Sequence, residues 1–113
     1  MSGITTHVLD TARGRPAAGV PVLLEVQEKG GWREIGRAET DADGRARNLI
    51  PAGPALSAGI YRLTFDLESY FRTAGIEAFY PQAAIVFQVR DANQHYHVPL
   101  LLSPFGYTTY RGS

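Results

Sequence analysis

Three histidines, His7, His95 and His97, and one arginine, Arg45, are the residues of this chain best suited to acid–base and electrostatic chemistry. A neutral imidazole takes a proton from water near its ordinary pKa of about 6.5, and a guanidinium offers a planar fork of donors to a carbonyl or an oxyanion. His95 and His97 lie two apart, so on a strand they share a face, and with His7 they could hold zinc with one position open. Against that, no carboxylate motif accompanies them and His95 stands beside the turn-forming run Asp91-Ala92-Asn93, so no metal is expected. Ser103 has no Gly-x-Ser-x-Gly elbow around it and is followed by Pro104, which disfavours a serine nucleophile. Taken singly, each histidine also reads as an ordinary surface residue, and Arg45, directly after Asp43-Gly44, reads as a solvated charge where a strand leaves a tight hairpin turn. Arg47, Arg62 and Arg72 are read as solvated charges outright.

The elements that must position these residues are strands. Val20, Val22, Leu24 and Val26 alternate with Leu23, Glu25 and Gln27, and the same period of two returns in Tyr61, Leu63, Phe65 and Leu67 and around Ile85, Phe87 and Val89. Turn residues separate the runs at Gly30-Gly31, Asp41-Ala42-Asp43-Gly44, Pro51-Ala52-Gly53-Pro54 and Asp91-Ala92-Asn93. Short strands spaced in this way predict an all-β antiparallel sandwich. One segment departs: Leu67, Tyr70, Phe71 and Ala74 fall at helical spacing, with Asp66 as N-cap and Gly75 as a C-terminal stop, which predicts a single short helix.

Alternation also assigns faces. If Tyr96, Val98, Leu100 and Leu102 fill the core, then His95, His97, Pro99 and Leu101 point outward; if Ile4, Thr6 and Val8 point inward, then Thr5, His7 and Leu9 do not. Apolar Leu9, Pro99 and Leu101 on outer faces suit a subunit interface. Pro99 in a strand gives up a ladder hydrogen bond, as happens mainly at edges and bulges. Ser103-Pro104 and Phe105-Gly106 break the chain before a last strand from Tyr107 to Arg111, leaving Gly112-Ser113 as a tail of the kind that ordinarily frays.

A chain of 113 residues has the size of one domain with a real core, expected to span residues 1–113. Eleven basic residues balance eleven acidic ones, so no net field draws in nucleic acid or an anionic membrane, and any charged ligand must be met locally. With no cysteine, disulfides and thiolate chemistry are excluded. No apolar run approaches the roughly 20 residues of a membrane helix. Met1-Ser2-Gly3 leads straight into strand-like sequence without the marks of a signal peptide, and a cytoplasmic location is expected.

Four motifs in order, Thr6-His7-Val8-Leu9-Asp10, Asp43-Gly44-Arg45, His97-Val98-Pro99-Leu100-Leu101-Leu102-Ser103-Pro104 and the terminal Tyr110-Arg111-Gly112-Ser113, resemble the 5-hydroxyisourate hydrolases, the transthyretin-related enzymes of urate breakdown. The resemblance runs over essentially the whole chain. It implies a transthyretin-like sandwich of two four-stranded sheets, assembled as a homotetramer, a dimer of dimers, with active sites in a channel between dimers. It implies hydrolysis of 5-hydroxyisourate to 2-oxo-4-hydroxy-4-carboxy-5-ureidoimidazoline, with neither metal nor organic cofactor. Carried over position by position, the catalytic residues fall on His7, Arg45 and His97 and the signature tail on Tyr110, Arg111, Gly112 and Ser113, expected to contact substrate; Pro99 and Leu101, outward with the histidines, are expected to wall the site. A transthyretin-like binding protein without catalysis is the alternative on the same fold; carriers have lysine, glutamate and threonine at the positions of His7, Arg45 and His97 and lack the Tyr-Arg-Gly-Ser end.

Overall fold

The computed structural model describes residues 3–50 and 56–113; the turn expected at Pro51-Ala52-Gly53-Pro54 lies outside them. The alternating sequences form strands: β1 (Gly3–Asp10), β2 (Arg15–Pro16), β3 (Pro21–Glu28), β4 (Gly31–Glu39), β5 (Arg45–Ala46), β6 (Gly59–Asp66), β7 (Gln82–Val89), β8 (His95–Ser103) and β9 (Gly106–Thr109). One helix, α1 (Leu67–Thr73), sits between β6 and β7. Its ends follow local chemistry. The Asp66 carboxylate accepts from the Ser69 N–H, and past Ala74 the N–H groups of Gly75 and Ile76 bond back to the Arg72 and Phe71 carbonyls, with Gly75 at φ +72°.

The strands make a sandwich. One sheet runs β2-β1-β8-β9, with β5 pairing along β1; the other runs β4-β3-β6-β7. Every pairing is antiparallel except β1 with β8, which run parallel from Gly3↔His95 to Asp10↔Leu102. A parallel pair cannot be joined by a hairpin, and here the whole second sheet is the connection. Val22, Leu24, Tyr61, Leu63 and Phe65 from one sheet face Ile4, Val8, Tyr96, Val98, Leu100 and Leu102 from the other, all buried. Asp10 is buried too: its carboxylate accepts from the N–H of Ala12 and Arg13 and, at 2.7 Å, from the Tyr70 hydroxyl, which ties α1 to the end of β1. Arg62 is not merely solvated, because it pairs with Glu25 at 2.8 Å and lies 4.3 Å over the Trp32 ring on the outside of the second sheet.

Two local results differ from the sequence expectation. The Asp41–Gly44 turn is not a hairpin joining neighbouring strands; it carries the chain from β4 in one sheet to β5 in the other, where Arg45 becomes the partner of His7. The last strand ends at Thr109 rather than at Arg111. At that point the next residue of β8 is Pro99, which has no N–H to give, and the Pro99 carbonyl is taken by the Thr109 hydroxyl at 2.7 Å. Proline thus sits inside a sheet at a place where the ladder is interrupted.

Candidate active site

The pattern of burial along β1 turns Thr5, His7 and Leu9 out of the core, and that along β8 does the same for His95, His97 and Leu101. Strand register then joins them. His7 has Arg45 as its partner on β5 and Pro99 as its partner on β8; Thr5 is paired with His97, and Leu9 with Leu101. His7, Arg45 and His97 therefore stand on one outer face carried by three neighbouring strands, although 38 residues separate the first two and 52 the last two.

Arg45 is set there by the turn before it. The Asp41 carboxylate accepts from the N–H of Asp43 and Arg45, and the Gly44 carbonyl accepts from the Val8 N–H at 2.7 Å. Gly44 has φ +77°, and a Cβ there would lie 2.4 Å from the Val8 carbonyl oxygen, so the turn needs glycine. The same turn holds His7, whose Nε2 lies 2.9 Å from the Asp43 carbonyl. Since a carbonyl only accepts, Nε2 carries the hydrogen and, in the neutral ring, Nδ1 is the free acceptor.

His97 is half-buried, and its Nδ1 lies 2.8 Å from the Thr5 hydroxyl, which also lies 2.8 Å from Nε2 of exposed His95. His97 Nε2 has no hydrogen-bond partner among the described residues. Burial pushes the His97 imidazole below the usual histidine range, with the charge of Arg45 next in effect, then His7 and His95; a backbone hydrogen bond at Thr5 works the other way. The shift favours the neutral imidazole. Thr5 is the residue that the pattern of motifs did not single out, although alternation had put it on the same face as His7.

The C-terminal tetrapeptide divides between two sides of β8. The Gly112 N–H donates to the His97 carbonyl at 2.8 Å, and a Cβ on Gly112 would lie 2.6 Å from His97 Cδ2 and 3.2 Å from Pro99 Cγ. Far from fraying, Gly112 packs on the imidazole. Arg111 does not join the histidines in this protomer: it stacks 4.6 Å over Tyr96, bonds the Gln94 side chain at 3.0 Å and with Tyr110 lines a groove of about 240 Å³ beside Phe87 and Val98. Tyr110 and Ser113 are exposed. Pro99 is buried and Leu101 half-buried next to the site. As for a metal, the described residues contain no group of three His, Cys, Asp or Glu placed to hold one, and Thr5 lies between the facing nitrogens of His95 and His97.

Known proteins place the chain. The family model described as HIUase/Transthyretin matches residues 4–112. The 5-hydroxyisourate hydrolase of Caulobacter vibrioides is 46% identical over 117 aligned positions, covering 100% of both sequences. Among solved structures, 5-hydroxyisourate hydrolase from Klebsiella pneumoniae is 39% identical with a TM-score of 0.84, covering 100% of both chains. Sea bream transthyretin, solved in complex with thyroxine, is 36% identical with a TM-score of 0.89, covering 96% of this chain and 93% of its own. The backbone follows transthyretin as well as it follows the hydrolase, so the fold is common to both. With that sandwich, and with a sequence match running almost from end to end, the chain belongs to the HIUase/Transthyretin family.

Proposed function

We propose that this chain is a 5-hydroxyisourate hydrolase of urate breakdown, opening the six-membered ring of its substrate with water to give 2-oxo-4-hydroxy-4-carboxy-5-ureidoimidazoline on the way to allantoin. The near-complete match to hydrolases in sequence supports the reaction. The observation that carries its residues is the register that puts His7 between Arg45 and Pro99, with His97 on the same face.

In our reading His97 is the base. Its Nε2 takes a proton from water, the resulting hydroxide adds to the C6 carbonyl, and Arg45 donates to the oxygen as it becomes negative. Collapse of the tetrahedral intermediate breaks the C–N bond, and the His97 imidazolium returns its proton to the departing ring nitrogen. His7, with Nε2–H engaged by Asp43, offers Nδ1 as an acceptor to a substrate N–H. Gly112 holds the imidazole against its other edge, Pro99 and Leu101 wall the site, and Ser113, next to Gly112, contacts substrate from the tail, whereas Tyr110 and Arg111 are turned to the groove beside Phe87 and Val98 and do not reach this site within one chain. Positioned proton transfer of this kind contributes about 10² to 10⁴ in rate, and no metal or organic cofactor enters it.

We place the enzyme, as one domain over residues 1–113, in the cytoplasm as a homotetramer built as a dimer of dimers, with substrate bound between dimers; among the described residues no helix is long and apolar enough to cross a membrane. The structural likeness to transthyretin favours a second reading, a small-molecule binding protein without catalysis. One experiment separates them. Freshly generated 5-hydroxyisourate is followed by ultraviolet absorbance with chelator-treated protein and with its His97→Ala variant. Decay well above the spontaneous rate, lost in the variant, is expected; decay at the spontaneous rate with the native protein would leave the binding reading, and activity that zinc alone restores would bring the histidine metal site back.

A further inference from the structure

The hydroxyl of Thr5 faces two imidazole nitrogens at once, His97 Nδ1 and His95 Nε2, each at 2.8 Å, and it has only one hydrogen to give. Of the arrangements that satisfy both contacts, Thr5 accepting from both rings leaves His97 Nε2 unprotonated, and two others place the Thr5 hydrogen between the rings. In one of these, Thr5 donates to His95 and accepts from His97 Nδ1–H, leaving Nε2 of His97 unprotonated. In the other, Thr5 donates to His97 Nδ1 and accepts from His95, which leaves His97 Nε2 carrying hydrogen and useless as a base. Once His97 has taken a proton, both of its nitrogens carry hydrogen, and the arrangement in which Thr5 donates to it is lost. Those in which Thr5 accepts from His97 Nδ1–H persist through the reaction without a rotation of the hydroxyl, and that N–H···O bond strengthens as the ring becomes charged.

We infer that Thr5, backed by His95, is a positioning residue that locks His97 in the tautomer with a free Nε2. The fold supports both partners of that lock. The parallel register that pairs Thr5 with His97 also pairs Gly3 with His95, laying the His95 ring over a position without a side chain, where a Cβ would lie 3.5 Å from Nδ1. On the opposite edge Gly112 packs close to His97 Cδ2, and an imidazole turned over would give up its hydrogen bond to Thr5. The charged and titratable groups around it are Arg45 and His7 across the face and His95 beyond the hydroxyl. None of them can take the place of a neutral donor–acceptor at Nδ1.

The inference rests on His97 being the base, and the test separates the two. Thr5→Val removes the hydroxyl with almost no change of shape, Thr5→Ser restores it, and His95→Ala keeps it while removing its acceptor. Circular dichroism and thermal melting confirm native fold, and Thr5→Ala replaces the valine variant if its melting temperature drops. Thr5→Val should lower kcat roughly tenfold to a hundredfold with KM little changed, and serine should recover most of the loss. His95→Ala should stay nearer the native rate, since water can accept the hydroxyl hydrogen. Nitrogen-15 shifts of the His97 ring should show Nε2 unprotonated in the native protein and in Thr5→Ser, and a mixture of tautomers in Thr5→Val. Native kcat and native ring shifts in Thr5→Val, with His97→Ala inactive, would overturn the role of Thr5 alone. A fully active His97→Ala would overturn the base assignment beneath it.

Discussion

At the scale of single residues, His97 is shaped by what surrounds it more than by its own type. Burial leads the depression of its pKa and Arg45 follows. In the reading proposed here, the acid limb of kcat/KM reports this base in the free enzyme, so activity should persist below about pH 6.5, the ordinary histidine value. Arg45→Gln removes one lowering cause and leaves burial in place. Its residual activity should show an acid limb displaced to higher pH but still under the ordinary value, and an NMR titration of His97 should move likewise; an unmoved limb would detach Arg45 from the base. The same shift sets a stability window. Below about pH 6.5 the unfolded chain takes up a proton on His97 before the folded one does, so this contribution is whole above that pH and is lost as pH falls to the depressed folded value. Gly112 is the second prediction at this scale. Gly112→Ala would drive a methyl to within 2.6 Å of Cδ2 on a ring already held by Thr5, so the imidazole must tilt off its hydrogen bond. Activity should fall about tenfold or more while the melting temperature changes little, because a shift of under an ångström in a catalytic group is felt in the rate; native kcat in this variant would show that the ring tolerates the displacement.

At the scale of elements, what could be read from the sequence was what is local. α1 begins after Asp66 and ends into Gly75 because caps and helical spacing act within a few residues, and the inward faces of β3, β6 and β8 follow from period-two alternation alone. What could not be read is pairing. Nothing in residues 3–10 announces that β1 runs parallel to a strand 92 positions further on, so the pairing of Thr5 with His97 was invisible, though the face of each was not. Asp43-Gly44-Arg45 looked like a hairpin because the dipeptide speaks for a tight turn and is silent about which sheet the chain enters next. The stop of β9 at Thr109 depends on Pro99 lying opposite, again a partner at a distance. The crossing at Gly44 carries its own prediction. A Cβ at φ +77° meeting the Val8 carbonyl at 2.4 Å cannot be absorbed by rotating a side chain, so Gly44→Ala should cost about 1–3 kcal/mol in urea denaturation. It should also lower activity, since the turn bonds both His7 and the N–H of Val8. A variant of native stability would show that the loop can rebuild without the left-handed residue.

At the scale of the whole molecule, a chain with eleven charges of each sign places apolar side chains on the face where the proposed site stands. Leu9 and Leu101 are partners across β1 and β8, on the same face as His7 and His97, and Pro99 is the partner of His7, two residues along β8 from His97. A lone protomer would leave this patch beside an open imidazole, with water free to compete for Arg45. A second dimer over it would bury the leucines and close the site together, which is why the proposed tetramer and the proposed activity should fail together. Leu101→Glu tests that link. Each subunit would bring one carboxylate to a face that faces its symmetry mate, and a buried carboxylate with no partner costs several kcal/mol, more than such an interface readily withstands. On the solvent side of β8 the same glutamate is harmless to folding, because the inward residues Leu100 and Leu102 are untouched. Light scattering should therefore report dimers or monomers with native circular dichroism, and hydrolysis of 5-hydroxyisourate should drop in step with the loss of tetramer across a dilution series. A monomeric variant with full activity would mean that one protomer completes the site alone, and that Leu9 and Leu101 line it without being covered.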